Sequence, residues 1–253
     1  MVAKHLYKYL NIDGGLKMLQ YSNLQFTNAT KFNDPFDCHP ALYDYSNVPT
    51  TEYNWPPADF VADKGKNDMK NLRNSTWICS LSKVYDSLLM WSYYNQHKGV
   101  CIGLNLDVTI KCCKYKFIGT MSPFAAEVNY KDILKKTDYF KERPTCIDLW
   151  TTKAKAWEHE QEVRIITKDP VWANAAWSHP EELDGEESID IKEIRYYPHL
   201  SKDCFESIYL GVNILSKDKN QIIKLAKKNY PEIKIYQMAL APDAFRLREE
   251  QIY

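Results

Sequence analysis

The chain has 253 residues, enough for a sizeable core in one large domain or two small ones. Its 33 basic residues balance 33 acidic ones, so no global field steers it toward nucleic acid or acidic lipid. Eight glycines are too few for repeated nucleotide-binding glycine loops, and no apolar run approaches the roughly 20 residues of a membrane span.

In chain order, residues 5–9 read as a strand, followed by a turn at Asp13-Gly14-Gly15 and a short helix carrying Leu16 and Leu19. Residues 24–27 alternate as a second strand. They run into a loop over 28–37, where turn formers dominate but Phe32 and Phe36 are expected to anchor the backbone to the core. Residues 43–74 show weak periodicity and read as an irregular excursion with room for a short helix. A strand is expected over 77–82, a helix over 87–94 and an interior strand over 100–104. Strands near 114–118 and 126–130 follow. Ile147, Trp150, Ala154 and Trp157 give 145–159 helical character, ahead of a strand over 163–166. The acidic stretch 170–190 reads as a solvated excursion. Strands at 191–197 and 207–211, a helix at 218–229, a strand at 233–239 and a last strand within 244–252 complete the chain. Many short strands between irregular connectors, without internal repeats, point to a single α+β domain over 1–253. Its sheet is expected to be split and mainly antiparallel or mixed, with short helices, rather than doubly wound.

Seven cysteines without any C-x-x-C spacing, and no cationic leader ahead of an apolar segment, suggest reduced buried thiols and a cytoplasmic setting. The six histidines form no H-E-x-x-H and no other ligand spacing, so no metal is expected. Eighteen tyrosines are too many for a core alone and should partly line a cleft or a partner surface.

The densest chemistry is Trp157-Glu158-His159-Glu160-Gln161-Glu162-Val163-Arg164. In an extended backbone Glu160 and Glu162 share a face, with Arg164 next in line. Lining a cleft, such a pair can hold a ribose hydroxyl or stabilise a developing positive charge. The same spacing also serves an ion-pair ladder on a sheet edge. Tyr7-Lys8-Tyr9 puts two rings on one face of the first strand, to pack structurally or to flank a base, and a lysine suited to phosphate on the other. Ser80 and Ser82 close the middle strand, although Ser82 equally suits a cap for the following helix. Neither serine sits in a G-x-S-x-G elbow. Tyr93 belongs to an aromatic stretch over 91–99, where His97 suits a helix terminus. Asn33-Asp34-Pro35 suits a pinned turn as well as a site.

Several pieces together resemble DUF2971, a bacterial family of uncharacterised proteins. They are Leu6-Tyr7-Lys8-Tyr9, Leu24-Gln25-Phe26-Thr27 leading to Phe32-Asn33-Asp34-Pro35-Phe36-Asp37, Leu89-Met90-Trp91-Ser92-Tyr93-Tyr94, Gly99-Val100-Cys101-Ile102-Gly103, Trp157-x-x-Glu160-x-Glu162-x-Arg164 and Ile208-Tyr209-Leu210-Gly211. The pattern is also distantly similar to ADP-ribosyltransferase-like folds. Those have a first strand bearing His or Arg, a middle strand ending in serine or an aromatic, and a late strand opening with a catalytic glutamate. That resemblance implies Lys8 at the first-strand position, Ser80 or Ser82 on the middle strand, Glu162 with Glu160 at the catalytic place, and Tyr93 stacking on nicotinamide. Lysine departs there from the His or Arg of the pattern. NAD is then the implied substrate, without a metal, and a protein or nucleic acid the implied acceptor. Two rival readings remain: a non-enzymatic peptide- or nucleic-acid-binding module of a bacterial defence or toxin system, and a metal-dependent nuclease using Asp34, Asp37, Glu160 and Glu162.

Overall fold

The computed structural model describes residues 3–49, 56–114, 122–142, 146–169, 188–190 and 194–253. Strand β1 (His5–Leu10) leads directly into helix α1 (Ile12–Tyr21). The Asn11 side chain accepts from the Gly14 amide at 2.8 Å and starts that helix, so the expected turn at 13–15 lies inside its first turn. Gly15, Met18 and Leu19 bury one face of α1, and Ser22 ends it at φ 48°.

Strand β2 (Phe26–Asn28), strand β3 (Tyr43–Asp44), helix α2 (Ala58–Asn74), strand β4 (Thr76–Ser82), helix α3 (Leu88–Asn95), strand β5 (Val100–Asn105) and helix α4 (Leu106–Cys113) follow. Beyond them come β6 (Phe124–Glu127), β7 (Asn129–Lys131), β8 (Thr137–Asp138), α5 (Cys146–Thr151), β9 (Thr152–Ala154) and β10 (Glu162–Lys168). The last part holds β11 (Ser188–Asp190), β12 (Arg195–Tyr197), β13 (Phe205–Leu210), α6 (Ser216–Asn229), β14 (Lys234–Leu240) and β15 (Leu247–Gln251).

Eleven of these strands form one mixed sheet that forks at β4. Along one edge β4 pairs with β10 over its whole length, and β10 carries β6. Along the other edge β4 meets β2 at Trp77 and Ile78 but β1 at Ser82. One arm leaves through β2, β12 and β11; the other runs β1, β5, β13, β14 and β15, with β13 and β14 parallel. Cys79, Ser80 and Leu81 pair with no strand on the forked edge among the described residues. The architecture is α+β, with a mixed and split sheet and short helices, as the sequence pattern indicates.

Alternation along the strands sorts the layers. On the back face Cys79, Leu81, Val163 and Ile165 join Leu6, Ile102 and Ile208 in the main core, under Leu19 of α1 and Ile222 of α6. On the front face Ile78 and Ile166 pack with Met69 of α2 and with Leu149 and Trp150 of α5. Further along the same face Tyr9 and Cys101 pack under Met90 and Trp91 of α3. Between these two apolar blocks β4 and β10 present Ser80, Ser82, Glu162 and Arg164.

Several local expectations are corrected. The excursion over 43–74 contains a 17-residue helix, whose buried Gly65 and Met69 leave too thin an apolar stripe to show as periodicity. The helix expected over 145–159 stops at Thr151: residues 152–154 pair in parallel with β7, and Lys155–Glu160 forms a 3-10 helix. Pairing across the fold overrides the periodic pattern there. The strand near 126–130 is divided into β6 and β7, and Leu106–Cys113 is helical. The second strand starts at Phe26 rather than at Leu24. Residues 115–118 of the strand expected near 114–118 lie outside the described residues, as do 170–187 of the acidic excursion; residues 188–190, read as its solvated end, are strand β11. The strand expected over 191–197 is described from Ile194 onward, and Ile194 itself has φ 47°. No helix of the described residues is long and apolar enough to cross a membrane.

Candidate active site at the sheet fork

Register brings three sequence-distant positions into one row: Tyr7 of β1 pairs with Ser82 of β4, which pairs on its other side with Glu162 of β10. The gap in pairing beside Ser80 is closed by a side chain, since Lys8 Nζ donates to the Ser80 carbonyl at 2.9 Å. An unpaired buried carbonyl is costly, and the ammonium satisfies it.

Glu160 reaches the same place by a different route from the one the sequence suggests. It ends a 3-10 helix, and Gln161 turns the chain at φ 44° before β10 begins. The two glutamates therefore do not lie two apart on one extended strand. They converge because the left-handed residue folds Glu160 back over Glu162. Ser82 Oγ donates to the Glu160 carbonyl at 2.8 Å and the Glu162 amide donates to Tyr130 Oη at 2.8 Å, fixing both ends of the turn. Ser82 is thus not the cap of the next helix; that role falls to Ser87.

Both carboxylates are 4% exposed, and Arg164 beside them is wholly buried. Arg164 Nε and Nη2 donate to Glu162 at 2.8 and 3.1 Å, while Nη1 and Nη2 donate to the two oxygens of Asp37 at 2.8 and 2.7 Å. Its Nη1 also donates to the Trp150 carbonyl at 2.7 Å. The planar guanidinium fork spans two carboxylates at once, which an ammonium cannot do. Lys153 of β9 donates to Glu160 and, at 3.0 Å, to Glu162, and stands 5.0 Å from the Trp157 ring centroid. Tyr94 Oη donates to the other oxygen of Glu160 at 2.6 Å.

The charges set the chemistry. Burial alone raises the Glu162 pKa, but Arg164, Lys153 and a hydrogen bond from Ser80 reverse this and hold the carboxyl well below its usual range. An ionised Glu162 cannot serve as a general acid at neutral pH and is a weak base; it can accept hydrogen bonds and stabilise positive charge. Burial lowers the Lys153 pKa, yet Glu162 and Glu160 more than restore it, so the lysine stays charged. Burial, then the Glu160 charge, pushes the Tyr94 phenol up, so it remains a donor.

A cavity of about 70 Å3 opens at this point, walled by Tyr7, Lys8, Tyr9, Ser80, Ser82 and Tyr94 with the two glutamates. It has room for a few waters or the edge of a small ligand and is well under the roughly 300–1,000 Å3 of ligand pockets. Of the residues that spacing and resemblance assign to an NAD site, Tyr93 alone stands off this wall: it is 69% exposed and its ring lies 5.5 Å from that of His159. His97 bonds Ser92 Oγ at 2.9 Å near the end of α3. Asp34 pins the loop by accepting from the Phe36 amide at 2.9 Å. Asp37 and Glu162 are bridged by Arg164, and no group of three or more His, Cys, Asp or Glu among the described residues is placed to hold a metal ion.

Sequence reasoning missed Lys153 and Tyr94 as partners of the glutamates, and Asp37 as the partner of Arg164. One signal was present: an arginine set among Val163, Ile165 and Ile166 has to be buried and so needs a carboxylate. Lys153 gave none, being hidden in a pattern that read as helix.

No curated protein and no solved structure matches the chain. Residues 90–165, from α3 through the site to β10, match the family described as a protein of unknown function, DUF2971.

Proposed function

We propose that the fork is the site of an ADP-ribosyltransferase- or NAD-glycohydrolase-like reaction, in which the nicotinamide–ribose bond of NAD is cleaved. The observation that carries this reading is the row Tyr7, Ser82, Glu162 across β1, β4 and β10, with Glu160 folded onto it and a cavity in front. Glu162, ionised and dry, favours an oxocarbenium-like ribose over its neutral ground state. Glu160 offers a second acceptor for ribose hydroxyls. In the free protein Tyr94 and Lys153 occupy the donor positions on Glu160, so binding requires ribose hydroxyls to displace one of them. Water, or an acceptor group of a protein or nucleic acid, then takes the ribosyl carbon.

A second reading is favoured by the saturation of Glu162, whose two oxygens already accept from Arg164 and Lys153. On this view the network is a scaffold clamp in a non-catalytic binding module. One experiment separates the two: nicotinamide release from NAD is followed by chromatography, and NAD contact with the wild-type protein by saturation-transfer NMR. The enzyme reading expects release that falls about a hundredfold or more in Glu162→Gln. It also expects Tyr94→Phe, which leaves the ring in place, to change turnover with an unaltered urea midpoint. No nicotinamide release together with no NAD contact overturns it.

A further inference from the structure

A groove of about 790 Å3 lies on the front face of the β1–β5–β13–β14 arm and shares Tyr7 with the small cavity. That volume falls within the range of small-molecule sites. Strand register builds the floor: Tyr7 pairs with Gly103 and Gly103 with Ser207 in one row, and Tyr209 pairs with Tyr236 in the next. The rings of Tyr85, Tyr209 and Tyr236 stack in sequence, at 4.3 Å and 16° and then at 4.9 Å and 11°. Tyr7 meets Tyr209 edge-on at 5.8 Å. Tyr236 ends the stack, and no further ring among the described residues continues it. Gly103 keeps the floor low, since a Cβ there would stand 2.2 Å from Ser207 Oγ and 3.3 Å from the Tyr7 ring.

The groove's polar lining mixes five hydroxyls, those of Tyr7, Ser207, Tyr209, Tyr230 and Tyr236, with charged side chains. Tyr7 and Ser207 lie beside Tyr209 on the same face, while His5 is paired with Glu206 at the wall. Lys202 and Lys234 face Asp203, Glu206 and Glu232 around the groove. With charge so nearly balanced, the field favours neither a strongly anionic nor a strongly cationic ligand. What remains is an aromatic stack that ends at Tyr236, opposite Gln251 of β15, beside the tyrosine and serine hydroxyls.

We propose that this groove binds an uncharged nucleoside, its base continuing the stack at Tyr236 and its sugar hydroxyls bonding Ser207 and the Tyr7–Tyr209 pair. Base-on-ring stacking tolerates any base, so purine and pyrimidine nucleosides both enter, with the larger ring held more tightly. The site does not use the buried carboxylates and stands or falls separately from NAD cleavage.

The test is titration of the full chain with adenosine, uridine and free ribose, followed by NMR chemical-shift changes. Nucleoside binding is expected in the wild type and in Glu162→Gln, with ribose alone far weaker. Tyr236→Leu, which removes the stacking face, is expected to weaken adenosine binding about tenfold or more. Gly103→Val, which fills the floor, is expected to do the same, and Tyr236→Leu decides the matter if that variant does not fold. Absence of nucleoside binding in the wild type overturns the proposal. So does ribose binding as tightly as adenosine, or adenosine binding unchanged in Tyr236→Leu.

Discussion

Replacing Arg164 with methionine is the sharpest perturbation of the site, because it removes the cation shared by Asp37 and Glu162 while keeping a chain of similar length. Arg164 is completely buried and both carboxylates are nearly so. Glu162 keeps Lys153, but Asp37 loses the arginine donors to both of its oxygens and keeps the weak Cys38 thiol, and the Trp150 carbonyl loses its own donor. Stranding one partner of a buried ion pair costs about 3–5 kcal/mol, a large share of the roughly 5–15 kcal/mol that holds a domain folded. Urea unfolding, read through the fluorescence of the buried Trp77 and Trp91, should show an unfolding free energy lowered by that amount, seen as a lower midpoint with an unchanged slope. Asp37→Asn added to Arg164→Met should recover part of the loss, because the stranded charge is then gone. The acid limb offers an independent reading. The Glu162 pKa is depressed in the fold, so its contribution is present above its unfolded value of about 4.3 and is lost as pH falls through the folded value. In Arg164→Met that depression shrinks, and stability should depend less on pH below about 4.3. A loss under about 1 kcal/mol in the single variant would refute the view that this guanidinium neutralises the buried site.

Two further outcomes follow from other parts of the molecule. Burial pushes the Cys79 thiol up to about 11 and the Cys204 thiol up to about 12, so both stay protonated in the fold after unfolded thiols begin to ionise. Their contribution is complete below about pH 8.5 and is lost as pH rises, at up to about 1.4 kcal/mol per pH unit for each thiol. Chemical denaturation at pH 8 and pH 10 checks this, and an equal midpoint at both would contradict it. At Gly211 a Cβ would lie 2.3 Å from the His97 carbonyl oxygen, where the Asn213 amide also bonds that oxygen at 2.8 Å. Backbone cannot step aside as a side-chain tip can, so Gly211→Ala should cost about 1–3 kcal/mol and lower the thermal midpoint by several degrees. An unchanged melting curve would show that the turn yields.

Fold class, a split mixed sheet, and the interior strands around Val100–Leu104 and Val163–Ile166 were all legible, because apolar runs and alternation report burial directly. Helix α2 was not, since its buried face rests on a glycine and a methionine. The break after Thr151 was hidden because pairing with β7 depends on residues about twenty positions away. At the site the carboxylates and the tyrosine and serine rows could be named from spacing and resemblance. Their partners could not: Asp37 meets Arg164 from 127 positions away in sequence, and only the forked topology makes them neighbours. The left-handed turn at Gln161 was equally invisible, for glutamine carries no preference for that conformation.

The fork also dictates an order of events while the polypeptide emerges from the ribosome. Strand β4 is made early, yet β10, its full-length neighbour, is translated about eighty residues later. At about 5–20 residues per second, several seconds pass before that edge can be covered. During that interval Cys79 and Leu81 sit on a half-paired template open to any passing strand. Nascent chains stalled just short of Glu162 should therefore be the ones that clump or recruit chaperones.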